Sequence, residues 1–222
     1  MKHGVYVREQ KTSVSTPVVA ESGVPFVVGT APVHPAESPA ALFTPVLCTD
    51  WEDAVKKLGY SDDWKTYTIC EVMYSHFKLF QRQPIIFCNV LDPSTNKEAV
   101  AGAEVTLSGK QAKLPFDAIL SSLVVKTASS SESPLVKDTD YAAYYSDGNL
   151  IVETIEDGAA KAATKLYISY DKIKTADIDD DDIVKGIEAI DLCMATVSTT
   201  PDLIIAPGWS HTSTVQAVMA AK

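Results

Sequence analysis

The chain has 222 residues, 29 acidic and 19 basic, with a formal net charge of −10, 46% apolar and 22% charged. That apolar fraction excludes disorder throughout, and no stretch approaches the roughly 20 apolar residues needed to cross a bilayer. An acidic chain repels phosphate backbones, so no nucleic acid and no membrane is expected as a partner.

The charge is unevenly spread. Residues 1–20 carry Lys2, Arg8 and Lys11 against Glu9, a net of +2, whereas residues 132–191 hold 15 acids and 6 lysines. A basic arm and an acidic body attract each other between copies, by a term that salt screens. The charges in Met1–Glu9 fall where a signal peptide needs its apolar stretch. A reducing compartment is therefore expected. Cys48, Cys70, Cys88 and Cys193 contain no C-x-x-C pair and read as free buried thiols.

Residues 1–20 read as an extended arm. Val5 and Val7 alternate with Tyr6 and Arg8 at a strand period, and Pro17 stops any helix. The arm has too few apolar residues for a core of its own, so it must pair with something, either its own sheet or another chain. The apolar run 25–30 reads as a buried strand, and four prolines make 31–45 an irregular loop. Thr49 with Glu52 forms a capping-box pattern, which places a helix over 50–58 with Gly59 as its stop. Ser61-Asp62-Asp63 signals a longer helix running to Gln81, with Ile69, Met73, Phe77 and Phe80 on one stripe. Pro84 ends it, and 85–90 reads as a second buried strand. Strand, helices and buried strand in that order predict a parallel sheet.

From about residue 98 to 175 the pattern becomes short and alternating. Asp147-Gly148 between two strand-like runs marks a hairpin. Leu166, Ile168 and Tyr170 alternate with Tyr167, Ser169 and Asp171, and 129–134 reads as a mobile loop. An acidic run at Asp177 and Asp179–Asp182 precedes a helix with a stripe of Ile183, Ile187, Ile190, Met194 and Val197. A third buried strand at 203–206 and a helix from Ser213 follow. The expected fold is α/β (α+β overall). It consists of an arm over 1–20, a discontinuous α/β domain over 21–97 and 176–222, and an antiparallel β domain inserted over 98–175.

No constellation specifies an enzyme. Gly208-Trp209-Ser210-His211-Thr212 lies between a strand and a helix, but its fifth position is not the glycine that a nucleophile elbow needs. Ser210 and His211 therefore carry only a rival hydrolase reading, and helix capping by Ser210 or Ser213 explains them better. The aspartate run reads as a helix N-terminus. The four histidines have no metal-ligand spacing and the ten glycines no phosphate-loop spacing, so neither metal nor cofactor is expected. Tyr141, Tyr144 and Tyr167, with Tyr145 and Tyr170, read first as sheet packing. A second rival takes the first three as the face of a monomeric, adhesin-like binding module.

Two stretches carry a family resemblance. His3-Gly4-Val5-Tyr6-Val7-Arg8-Glu9 followed by residues 24–32, and residues 186–191 followed by Pro201-Asp202-Leu203-Ile204-Ile205-Ala206-Pro207-Gly208, resemble the contractile-tail sheath proteins of phages and prophages. The resemblance implies a structural subunit in the virion tail, assembled in the host bacterial cytoplasm. It would polymerise with other sheath subunits around a tail tube protein and contract. It implies further that Gly4, Val5, Tyr6, Val7, Arg8 and Glu9 add a strand to a neighbouring subunit, and that the inserted β domain lies outside. Family members continue well past the Ala-Pro-Gly signature, so the chain is expected to be an N-terminal portion.

Overall fold

The computed structural model describes residues 23–129 and 133–222. The predicted arm and the centre of the predicted 129–134 loop lie outside the described residues.

The first sheet is built around β1 (Pro25–Gly29) and β3 (Ile85–Asn89), whose residues are buried throughout. Continuous burial needs cover on both faces, and parallel pairing through helical crossovers supplies it. β1 pairs in parallel with β3 on one side and with β10 (Leu203–Ile205) on the other. β2 (Val46–Cys48) adds an antiparallel edge to β3, giving the order β10-β1-β3-β2. This strand follows directly on the proline-rich loop, which carries no strand over 31–45, as expected. β10 departs from the buried-strand expectation: it has one neighbour among the described residues, and Leu203 is 55% exposed.

Helix α1 (Trp51–Leu58) starts one residue later than the Thr49 pattern implies. Asp50 is the cap, accepting from the Asp53 N–H, and Gly59 closes the helix at φ 71°. A side chain at Gly59 would meet the Pro32 carbonyl oxygen at 2.0 Å, so glycine is required there. The long helix expected from Ser61 is shorter, with α2 (Ile69–Met73) running into a π-helical segment (Tyr74–Phe80). Ile69, Met73 and Phe77 are buried as predicted. Phe80 is 68% exposed, because the wider winding of an i→i+5 bonded segment carries it off the stripe.

The other half is antiparallel, and the α and β elements together make the protein α+β. β4 (Lys97–Thr106), β9 (Lys165–Ile173) and β6 (Val124–Lys126) form one three-stranded sheet. β5 (Gln111–Pro115), β8 (Asn149–Thr154) and β7 (Tyr141–Ser146) form another, with β7 and β8 joined at the predicted Asp147-Gly148 turn. Leu166, Ile168 and Tyr170 are buried, as their alternation predicts.

α3 (Asp180–Glu188) packs against β1 and β3, on the opposite side of β1 from α2. A side chain at Gly186 would meet Val28 at 2.4 Å and Val90 at 2.7 Å, whereas one at Gly29 would meet Thr68. A 3-10 turn over Ala189–Leu192 then interrupts the expected stripe before α4 (Cys193–Val197). The tighter winding buries Cys193 and leaves Met194 61% exposed. α5 (Ser213–Ala221) packs on α3.

Two hydrophobic cores result. The first gathers the parallel sheet and its helices, the second the antiparallel strands. Ile173, at the end of β9, and Phe116 and Ile119, in the segment after β5, pack into the first core although they belong to the second half.

Candidate functional site

The predicted interlinking residues, Gly4 to Glu9, lie outside the described residues, but the chain emerging from them is fastened at a defined place. Gly23 and Val24 donate their N–H groups to Asp202 Oδ2 at 2.8 and 3.2 Å. The Asp202 N–H returns a bond to the Val24 carbonyl at 2.9 Å. One carboxylate therefore ties the start of β1 to the start of β10, across 178 and 179 positions of sequence. Bonds of this kind, to a charged acceptor, are among the stronger ones available. Asp202 lies in the stretch of residues 201–208, where its sequence context gives it no role. An acid between Pro201 and an apolar strand is the only local signal, and it does not name a partner.

The parallel strands all begin at this end. Leu203 is exposed here, at the head of an edge strand whose far side meets no other strand among the described residues. Leu79 and Phe80 are also exposed, at 60% and 68%, where the π-helical segment turns back toward β3. An open strand edge offers unpaired main-chain groups to an extended segment.

The opposite end of the sheet holds a crevice of about 560 Å³ beyond the carboxyl ends of β1 and β10. Its walls include Thr30, Thr68, Trp64 and Trp209. Such crevices are where parallel sheets bind ligands, but these threonines are occupied. Thr30 Oγ1 donates to the Thr66 carbonyl at 2.7 Å, Thr30 N–H donates to Thr68 Oγ1 at 3.2 Å, and Thr68 N–H donates to Thr30 Oγ1 at 3.0 Å. They fasten the segment before α2 to the end of β1.

The rival catalytic pair is not assembled. Ser210 and His211 are both exposed, and no hydrogen bond joins them among the described residues. A serine nucleophile needs a base within hydrogen-bond reach and a group that orients it. The capping expectation is also corrected. Thr212 occupies the N-cap of α5, and its hydroxyl donates to the Trp209 carbonyl rather than capping the helix.

The rival tyrosine face divides between two sheets. Tyr141 is buried, Tyr144 lies on β7 and Tyr167 on β9. Tyr144 donates to Glu153 Oε2 at 2.7 Å and Tyr167 to Glu104 Oε2 at 2.6 Å. The bonds from Tyr167 and then Lys165 hold the Glu104 carboxyl below its usual range. The aspartate run caps α3, where Asp179 Oδ1 accepts from Asp181 and Asp182 N–H at 3.0 and 3.2 Å. All four cysteines are free and buried, and burial pushes the thiols of Cys48, Cys70 and Cys88 up to about 12.

Comparison with known proteins adds the deciding observation. The chain is 30% identical over 182 residues to the tail sheath protein of Burkholderia phage BcepMu, an alignment covering 79% of this chain. The chain is a homologue of a phage tail sheath protein. It spans 36% of that relative's length. No family model and no solved structure matches the chain. No helix among the described residues is long and apolar enough to cross a membrane.

Proposed function

We propose that the chain is a structural, non-catalytic part of a contractile tail sheath in a phage or prophage virion. The observation that carries this reading is the 30% identity to a tail sheath protein. In this reading residues 21–97 with 176–222 form one discontinuous α/β domain. Residues 98–175 form an inserted β domain on the outer surface. Copies polymerise around a tail tube and contract to drive injection.

The linkage we propose is the strand Gly4 to Glu9, donated to the sheet edge of another copy. Extended backbone supplies affinity through main-chain hydrogen bonds, and these survive when the tethered bodies slide. The Asp202 clamp supports this division of labour, because it holds the root of the arm to the body at one point. The test is negative-stain electron microscopy of the full-length protein expressed with and without residues 1–20. Helically striated tubes are expected only with the segment. Normal extended sheaths from the deletion variant would refute the linkage.

A further inference from the structure

The junction between the two cores holds an aromatic cluster with an unbalanced polar interior. His34, from the loop after β1, stands 5.3 Å between ring centroids from Phe116 and 5.8 Å from Tyr145. Tyr67, just before α2, stands 6.2 Å from His34 and 6.0 Å from Phe116. His34 Nε2 lies 2.9 Å from the Phe116 carbonyl. A carbonyl only accepts, so Nε2 carries the proton and Nδ1 of the neutral ring is a bare acceptor.

Three side-chain atoms of this region are buried without a hydrogen-bond partner among the described residues: His34 Nδ1, Tyr67 Oη and Asp117 Oδ1. Tyr67 is only 2% exposed. Asp117 follows Phe116, and its charge acts on Tyr67. The contrast with Tyr145 is direct: its hydroxyl donates to the Ala118 carbonyl at 2.7 Å and accepts from Leu120 N–H at 3.2 Å. Buried polar groups are rarely left unpaired, because each costs its full desolvation. The unpaired set is two acceptors and one donor. One water would complement such a set, donating to His34 Nδ1 and Asp117 Oδ1 and accepting from the Tyr67 hydroxyl.

We propose that His34, Tyr67 and Asp117 together hold one buried water that locks the antiparallel half onto the parallel sheet, and that the lock loosens when His34 takes up a proton. Protonation turns Nδ1 from an acceptor into a donor, so the water must turn, and a cation is placed in an aromatic seam. Burial holds the His34 ring down to about 4, against the opposing bond to Phe116. A seam that has opened returns it toward 6.5. As pH falls below 6.5 the open form takes the proton first. Its population therefore rises by up to about tenfold per pH unit until about 4. The charges facing the cluster are Asp117, which pairs with Lys172 at 3.8 Å, Glu98 beyond that lysine, and Asp63 beside Tyr67. Burial pushes the Asp117 carboxyl up, so its own titration acts in the opposite sense.

The test is nuclear magnetic resonance of the chain and two conservative variants. Protection of the Ile119 and Leu120 amides, corrected for intrinsic exchange, is followed from pH 7.5 to 5.5. Wild type is expected to lose protection as pH falls, and His34→Gln, which keeps a donor for the Phe116 carbonyl, to show a flat profile. Tyr67→Phe at pH 7.5 is expected to move the His34 Nδ1 resonance and lower protection of both amides. A pH-independent wild type, or a His34→Gln profile with the same slope, overturns the proton response. An unmoved Nδ1 resonance with unchanged or higher protection in Tyr67→Phe shows an isolated hydroxyl and overturns the shared water.

Discussion

The two halves solve the burial problem differently. β1 and β3 are buried along their whole length, whereas β9 alternates over residues 165–170 between buried residues and more exposed ones. The parallel half takes cover from α2 on one side of β1 and α3 on the other; the antiparallel half packs two small sheets around a second core. A strand covered on both faces has no tolerant position, while a strand with one wet face tolerates change at every second residue. The cysteines follow this division, since all four lie in the first core.

That distribution gives the largest expected effect. With thiols pushed from 9.0 to about 12, Cys48, Cys70 and Cys88 hold roughly a thousandfold less thiolate than free cysteine. Alkylation at pH 8 should be negligible in the native protein and complete in denaturant. Rapid native labelling of any of the three would show that the parallel core opens to solvent without unfolding.

Side-chain truncation comes next. Phe26 and Ile168 are both fully buried, one in each core. Phe26→Ala should cost about 3–5 kcal/mol and Ile168→Ala about 2–5 kcal/mol by chemical denaturation. Because Phe116 and Ile119 reach into the first core, both variants should move a single transition. Two separable transitions would mean that the seam does not couple the halves.

Glycine substitutions sharpen the contrast further. Alanine usually stabilises a helix interior relative to glycine. At Gly186 the added methyl would lie 2.4 Å from Val28, so Gly186→Ala should instead cost about 1–3 kcal/mol. Gly102 sits at φ 58° in the irregular pairing of β4 with β9, with open space around it. Gly102→Ala should cost only the left-handed backbone strain, about 1–2 kcal/mol. Thermal melts of the two variants distinguish a packing limit from a backbone limit.

These differences also decide what the sequence disclosed. Residues 25–29 and 85–89 were readable as strands because full burial writes a continuous apolar run. Residues 203–205 write the same run, yet form an edge, since an apolar run does not say how many neighbours a strand has. The Asp147-Gly148 hairpin was readable from turn chemistry alone. Phe80 and Met194 left their stripes because a π-helical and a 3-10 segment change the residues per turn, and periodicity assumes one value. The His34 seam and the Asp202 clamp were invisible for a different reason. Their hydrogen-bond partners lie 82 to 179 residues away, and a single polar residue carries no record of a distant one.

The clamp gives the smallest expected effect. Asp202 is exposed, so water competes for its carboxylate, but two N–H groups at the mouth of β1 depend on it. Asp202→Ala should cost about 1 kcal/mol and Asp202→Asn less, because the amide keeps one acceptor oxygen. Amide exchange at Gly23 and Val24 should quicken in both variants, with Phe26 and Val27 unchanged. Faster exchange along all of β1 would show that the carboxylate holds the edge strand and the central strand together. The root of the arm and the sheet would then be one mechanical unit, not a tether fixed to a body.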